Sequence, residues 1–464
     1  MIEYKQTTAR LAGMTDLVRC YFVNFLLLLA LGLGLSVRHV VNGALLFLAL
    51  TALVYCAVVF VRRCFAPHPL ASCFADFAVP RFVGYIFLSF TLYASYSLVL
   101  YGFAEPGVKD RYENFFIFAI PLYFLFVRSR LRLRYFCYAL SFSGLAVGLH
   151  ALYQVVYLDY PRAVGAHYAI GFGDMALLLA LFNALLLLYY PRLWQKLLAV
   201  AAVLLACAAC FLSVTRGAWL AMPPLLIFML WVCWREIRYR SQQVGVPLSS
   251  YFRSHRQLKW VLLLCVVALF SVVFSQKERI AQRWHETFHE IRLYQQGDVQ
   301  EKSIILRFEM WRVAWHMFTE NPIFGAGYGS FEQEVRRLYN NKIFVVPEGT
   351  KKLLFTFNNA HSQYLEELGN KGIVGLVLLL GVFVLPLVWF VRHLSSSDAN
   401  SRLVAYFGVS SVLGFAIFAA TESVFHRSFL ICYYLLLVFL FVALLCSSVR
   451  TATNPETLSR RVLN

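Results

Sequence analysis

Charge is scarce in this 464-residue chain. Asp, Glu, Lys and Arg make up 14% of it, against about 25% in an ordinary soluble domain. With 60% apolar residues and 42 Phe, that scarcity excludes a soluble enzyme carrying a single anchor. Alternating segments of about 10 residues are missing, which excludes a membrane β-barrel. No apolar stretch begins before residue 20 and no A-x-A site follows, so no cleavable signal is expected. None of the eleven Cys lies in 276–371, so that segment carries no disulfide. Cys207 and Cys210 sit inside an apolar run and read, like the others, as packing thiols. There is no D-x-D motif and no carboxylate cluster, so a divalent metal is not indicated. Internal repeats are absent as well.

What is present is a series of apolar runs long enough to cross a hydrocarbon core of about 30 Å. Twelve spans are expected, at 20–36, 40–61, 82–103, 114–127, 135–157, 168–190, 197–213, 218–234, 260–275, 372–391, 403–420 and 428–447. The fourth and ninth are short. This pattern predicts an all-α polytopic membrane protein with about 12 transmembrane helices. Residues 1–275 hold helices 1–9, residues 276–371 form one large outer loop, and residues 372–464 hold helices 10–12 and a short tail. Lys and Arg decide the orientation. The short loops on one side carry 23 of them and those on the other carry 6, with 13 more in 276–371. That bias places both termini in the cytoplasm and the long loop outside. It also accounts for much of the net charge of +18 without nucleic acid as a partner. The run RSRLRLR at 128–134 can touch anionic headgroups, although topology alone explains it.

One cation stands apart. From Leu197 to Trp234 the chain is uncharged except for Arg216. A single helix over this run would be about 57 Å long, so the run must fold as two spans with a turn at Thr215-Arg216-Gly217. Arg216 is then either an interfacial snorkelling residue or an anion-binding group with a planar fork suited to phosphate. The second reading is favoured, because an ionisable residue at membrane depth is functional by default.

The outer loop has its own order. KSIILRFEMWRVAWHMF (302–318) places Ile304, Phe308, Trp311, Trp315 and Phe318 on one stripe of an amphipathic helix. ENPIFGAGYGSF (320–331) breaks that helix, a second helix follows near 331–340, and 341–357 is irregular. NNAHSQYLEELGNKG (358–372) predicts an Asn-capped helix ending at the Gly-Asn-Lys-Gly turn. His361, Tyr364, Leu365 and Leu368 share one face of it, and Gln363, Glu366 and Glu367 share the other. His361 is by spacing alone a packing histidine. Its expected position on the same side as Arg216, next to a span, raises a second reading. A neutral imidazole takes a proton from a hydroxyl, and an arginine holds an anionic leaving group. Together they point to group transfer from a lipid-linked phosphate donor.

Weaker candidates share that side. Arg307 flanks the aromatic stripe, while Arg312 has Glu309 as a simple partner. Arg162 and His167, in YPRAVGAHYAIGFGD, open the sixth span, and Asp174 lies about a turn inside it, as a packing or a site group. Glu422, His426 and Arg427 form the last outer turn, where a local ion pair suffices. GAGYGSF does not follow a strand, which discounts dinucleotide binding.

SVTRGAWLA, RFEMWRVAWHMFTENPIFGAGYGSF and NNAHSQYLEELGNKGIVGL resemble the signature of the O-antigen ligase and O-antigen polymerase superfamily. The resemblance covers the second half of the chain well and the first half mainly in hydropathy. Ser362 stands where the family usually has Asn after the histidine. The resemblance implies a GT-C-like fold in a bacterial inner membrane, with a periplasmic active site. It implies a metal-independent, cofactor-free, inverting glycosyl transfer. The donor would be a glycan on undecaprenyl pyrophosphate, and the acceptor for a ligase would be a sugar hydroxyl of lipid A–core. His361 would act as base, Arg216 would neutralise the pyrophosphate, and Arg307 would be the second arginine. Arg162, Arg312, His167 and Tyr364 would line the substrates. A polymerase or a protein O-oligosaccharyltransferase shares the donor chemistry. A flippase would instead place paired charges at mid-bilayer.

Overall fold

The computed structural model describes residues 2–64, 79–101, 112–245, 277–296, 303–327, 331–341, 343 and 359–452. Over these residues the chain is all-helical. The helices are α1 (Ile2–Leu33), α2 (Val40–Cys64), α3 (Arg81–Tyr101), α4 (Ala119–Arg128), α5 (Leu133–Leu152), α6 (Ala169–Tyr189), α7 (Leu193–Leu212) and α8 (Arg216–Val244). The outer loop contributes α9 (Lys277–Gln295), α10 (Ser303–Glu320) and α11 (Phe331–Asn340), and α12 (Gln363–His393), α13 (Ala399–Thr421) and α14 (Ser428–Ala452) follow.

Eight of these helices are long and apolar enough to cross a bilayer: α2, α5 to α8, and α12 to α14. The first expected span appears as the apolar part of α1, Leu17–Leu33, and the third as α3. The fourth is a composite. A 3-10 segment, Tyr112–Phe118, leads into α4. Its steeper rise of about 2 Å per residue stretches the 17 residues 112–128 to about 29 Å, enough to span. The expected span 260–275 lies outside the described residues.

Burial sorts the helices. The spanning part of α14 is 100% buried, that of α6 89% and that of α13 78%, against 28% for α2 and 33% for α8. A helix that is apolar all round belongs at the centre, and α14 takes that place in an aromatic core of Phe90, Phe116, Phe383, Phe425 and Tyr434. On α2 and α8 the outward Leu46, Phe47, Leu50, Leu226, Ile227 and Leu230 remain exposed, as a lipid-facing surface requires.

The turns gather at two ends. At the arginine-rich end, Arg19 donates to the Arg128 carbonyl, Arg235 to Ser395, and Arg402 forms a buried pair with Glu236 at 2.9 Å. At the other end His167 bonds the Gly34 carbonyl, Ala163 the Leu212 carbonyl, and Asn42 the Ser428 hydroxyl. The loop helices pack at this second end. There α10 and α11 build a small core of their own from Leu306, Met310, Val313, Ala314, Met317, Phe331, Val335 and Leu338, closed by Ala360.

One expectation about 358–372 is corrected. The helix does not begin at an Asn cap: it starts at Gln363, with Ser362 in the capping position. It does break at Gly-Asn-Lys-Gly: Gly372, at φ 63°, is non-helical, and the two helices joined as α12 meet there at a kink, the second running into the membrane. The kink has a docked partner. The loop after α10 lies along the kink, so that Ala326 and Gly327 donate to the Gly369 and Asn370 carbonyls, and Ile373 and Val374 donate to Pro322 and Ile323. A Cβ on Gly372 would meet the Ile323 oxygen at 2.3 Å, and one on Gly325 the Lys371 nitrogen at 2.3 Å. The glycine-rich motif is therefore a clasp between loop and helix.

Candidate active site

Arg216 is placed by the turn before it. Ser213–Thr215 make the break between α7 and α8, with Val214 at φ 53°, and Arg216 is the first helical residue rather than the turn itself. Ser213 donates to Thr215 and Thr215 to the Ala169 carbonyl, which fixes the turn to the start of α6. Gly217 then lets α8 approach the end of α13: a Cβ there would lie 2.5 Å from the Thr421 hydroxyl. The α8 N-terminus, itself favourable to anions, is thus held beside Thr421.

Arg216 and Arg307 line one cavity of about 370 Å³ together with Trp219, Trp284, Trp311 and Thr421. Arg307 donates to the Thr421 carbonyl at 2.9 Å. The aromatic stripe of α10 divides accordingly. Phe308 and Trp311 face this cavity and Trp315 is 55% exposed, while the core face of α10 is the aliphatic one. The opposite wall comes from α9, which the sequence reading did not anticipate. Its Glu290 and Glu286 approach the Arg216 guanidinium at 3.7 and 3.9 Å.

His361 sits just ahead of α12, at φ 48°, with its N–H bonded to the Asn359 side chain at 3.0 Å. It is not on the helical face with Tyr364 and Leu365, as the spacing suggested. Its side chain is 19% exposed, and Nδ1 lies 3.2 Å from Glu422 Oε2. With that nitrogen protonated it donates to the carboxylate and leaves Nε2 as the basic atom. Glu422 is fully buried and also faces Arg427 at 3.7 Å. Burial pushes its carboxyl up, but the His361 bond and the charges of Arg427 and Arg307 outweigh this and hold it below the ordinary value. Thr421 lines the arginine cavity, and its neighbour in the chain, Glu422, holds the imidazole, so the two features adjoin through residues 421–422.

On the other face of α12, Gln363, Glu366 and Glu367 are all buried. Glu367 accepts from Tyr93 and Gln363, Lys371 bridges Glu367 and Glu113 at 3.0 and 2.8 Å, and Gln363 accepts from the Phe425 N–H. Ser423 donates to Glu366. This network locks the His361 segment to the Glu422 turn.

The remaining candidates separate. Tyr364 donates to the Ala416 carbonyl at 2.7 Å, a packing role. Arg312 pairs with Glu309 at 3.0 Å and does not line the arginine cavity. Arg162 is exposed, and it too lies away from that lining. His167 stacks on Phe429 at 4.1 Å and lines a second cavity with Arg427. Asp174 is fully buried behind Gly217, whose Cβ would lie 3.9 Å from it. Among the described residues, His316, Glu320 and Glu334 bring three ligand-type atoms within 4.8 Å, with Arg337 paired to both carboxylates.

These features define a polytopic, all-helical membrane protein with a basic cavity and an imidazole–carboxylate pair at one end of the bundle. Residues 201–380, which include Arg216, Arg307 and His361, match the family described as O-antigen ligase. That match supports a place in the O-antigen ligase and polymerase superfamily, whose members are glycosyltransferase-like enzymes. An uncharacterised protein of Haemophilus influenzae is 23% identical over 362 residues, covering 75% of this chain and 84% of the relative.

Proposed function

We propose that the protein is an O-antigen ligase of a bacterial inner membrane. It transfers a glycan from undecaprenyl pyrophosphate to a sugar hydroxyl of lipid A–core on the periplasmic face. The observation that carries this reading is the junction at Thr421–Glu422, where the arginine cavity and the His361–Glu422 pair adjoin. His361 Nε2 takes the proton of the acceptor hydroxyl. That oxygen attacks the anomeric carbon, whose bond to the pyrophosphate oxygen breaks with inversion. The leaving group departs as an anion beside Arg216 and Arg307. A pyrophosphate ester is already a good leaving group, so positioning and charge stabilisation suffice, and no metal step is needed.

The test uses the full chain in nanodiscs with lipid-linked glycan, with and without lipid A–core. Transfer to lipid A–core is the expected product. Lengthening on the carrier alone would make the protein a polymerase, transfer to a Ser or Thr of an added protein would make it a protein O-oligosaccharyltransferase, and movement of the lipid without a new glycosidic bond would make it a flippase. In the same assay His361→Ala is expected to lower kcat about 10²–10⁴-fold. Arg216→Lys, which keeps the charge but not the fork, is expected to lose about 10². Near-normal turnover in either variant returns that residue to a structural role.

A further inference from the structure

A second cavity, of about 300 Å³, opens at the same end of the bundle. It is built from four segments distant in the sequence: the α1–α2 turn, the 3-10 segment before α4, the entry to α6, and the α13–α14 turn. Its polar lining includes Arg38, His39, Asn42, His167, His426 and Arg427. No carboxylate belongs to that lining among the described residues. Two acids stand behind it: Glu422 holds His361 and faces Arg427 at 3.7 Å, and Glu366 accepts from Ser423 and faces His426 at 3.6 Å, which leaves Arg38 as the lining cation farthest from them in the chain. Burial keeps His167 below the ordinary imidazole range, reinforced by the nearby His39 and Arg38 and opposed by its bond to the Gly34 carbonyl. At neutral pH it is thus a polar, uncharged wall, stacked on Phe429. His39 holds φ 65°, a left-handed turn position that histidine adopts more readily than most side chains. A volume near 300 Å³ matches the lower end of small-molecule pockets.

Its position is the decisive feature. The arginine cavity reaches Thr421, and this one reaches His426, Arg427 and Ser428. Between them in the chain stands Glu422, which holds His361 and faces Arg427. One carboxylate thus stands 3.2 Å from the imidazole and 3.7 Å from Arg427 in the wall of this cavity. We propose that this second cavity is an acceptor subsite that takes a phosphate monoester on the sugar of the acceptor glycolipid, with Arg38 supplying the main charge. A guanidinium fork with imidazole and amide donors suits phosphate oxygens. The inference rests on the transfer reading above.

The first experiment needs no turnover. Full-length protein in detergent is titrated with a glycolipid bearing sugar phosphate monoesters, and with the same glycolipid after phosphatase treatment. Wild type is expected to bind the phosphorylated form about tenfold more tightly. Arg38→Ala, an exposed substitution that leaves the core intact, is expected to bring the two affinities within about twofold; Arg216→Ala is expected to keep the ratio. A ratio near one in wild type overturns the proposal. So does a ratio erased by Arg216→Ala but kept in Arg38→Ala, which assigns the phosphate to the arginine cavity. Displacement of the glycolipid by an equal concentration of phosphatidic acid overturns it in favour of a phospholipid headgroup. In turnover, Arg38→Ala is expected to raise the acceptor KM about tenfold with the donor KM within about twofold; a rise in the donor KM instead overturns it. Because binding is read without transfer, failure of the subsite and failure of the ligase reading give different results.

Discussion

Glu422 is buried, acidic and bonded to the imidazole proposed as base, so its charge state governs the tautomer of His361. A carboxylate at Nδ1 fixes the ring and stabilises the cation that forms on proton uptake, and losing it leaves the wrong nitrogen protonated. Glu422→Gln is therefore expected to lower kcat by about 10²-fold or more with little change in donor KM. The pH dependence follows from the lowered carboxyl pKa. A depressed acid contributes its pairing fully above the unfolded value, 4.5 here, and loses it as pH falls through the lower folded value. Glu422 thus does not titrate between about pH 5 and 8 in the wild type. Glu422→Gln is expected to alter the shape of the kcat profile in that range, because a neutral amide then faces the imidazole in place of a carboxylate. A merely structural loss would scale the profile without reshaping it, and that outcome would remove Glu422 from the mechanism.

At the scale of elements, the helix α9 brings carboxylates to Arg216. Glu290 and Glu286 approach its guanidinium at 3.7 and 3.9 Å, so they compete for it with the proposed pyrophosphate. An exposed pair contributes about 0.2–1 kcal/mol, and Glu290 is only 8% exposed. Glu290→Gln is expected to lower the donor KM about two- to fivefold, with kcat retained. A raised KM would show instead that Glu290 supports Arg216 in its working position. None of this was legible in the sequence, because an ion pair between residues 216 and 290 carries no local periodicity. The amphipathic pattern of 302–318 gave α10 directly, and the uncharged run around Arg216 gave the α7–α8 hairpin, since both are local signals. The His361 helix was misread for a physical reason. Period 3.6 carried His361 onto the face of Tyr364 and Leu365, although it precedes the helix at φ 48°, and the partners that make burial of Glu366 and Glu367 tolerable, Lys371, Tyr93 and Ser423, leave no such pattern. Glu422 likewise had a nearby arginine as a sufficient local partner, and its bond to His361, 61 residues away, exists only in the folded chain.

At the scale of the whole molecule, α8 and α13 are clamped at both ends. Arg402 and Glu236 pair at 2.9 Å at the arginine-rich end, and Gly217 packs on Thr421 at the other. These two contacts hold the Arg216 end of α8 beside the Thr421 end of α13. The same two-ended organisation separates the charges: 23 Lys and Arg in the short loops of one side against 6 on the other. The retention of basic loops in the cytoplasm predicts that the candidate site lies on the opposite face, as the proposed transfer requires. Cysteine labelling decides it. Asn321, after α10, and Ser397, between α12 and α13, are both exposed and lie at opposite ends. In spheroplasts, a membrane-impermeant maleimide is expected to label Asn321→Cys above the background of the native thiols and to leave Ser397→Cys unlabelled until lysis. The reverse pattern would put His361 and Arg216 on the cytoplasmic face, where a periplasmic ligase cannot work.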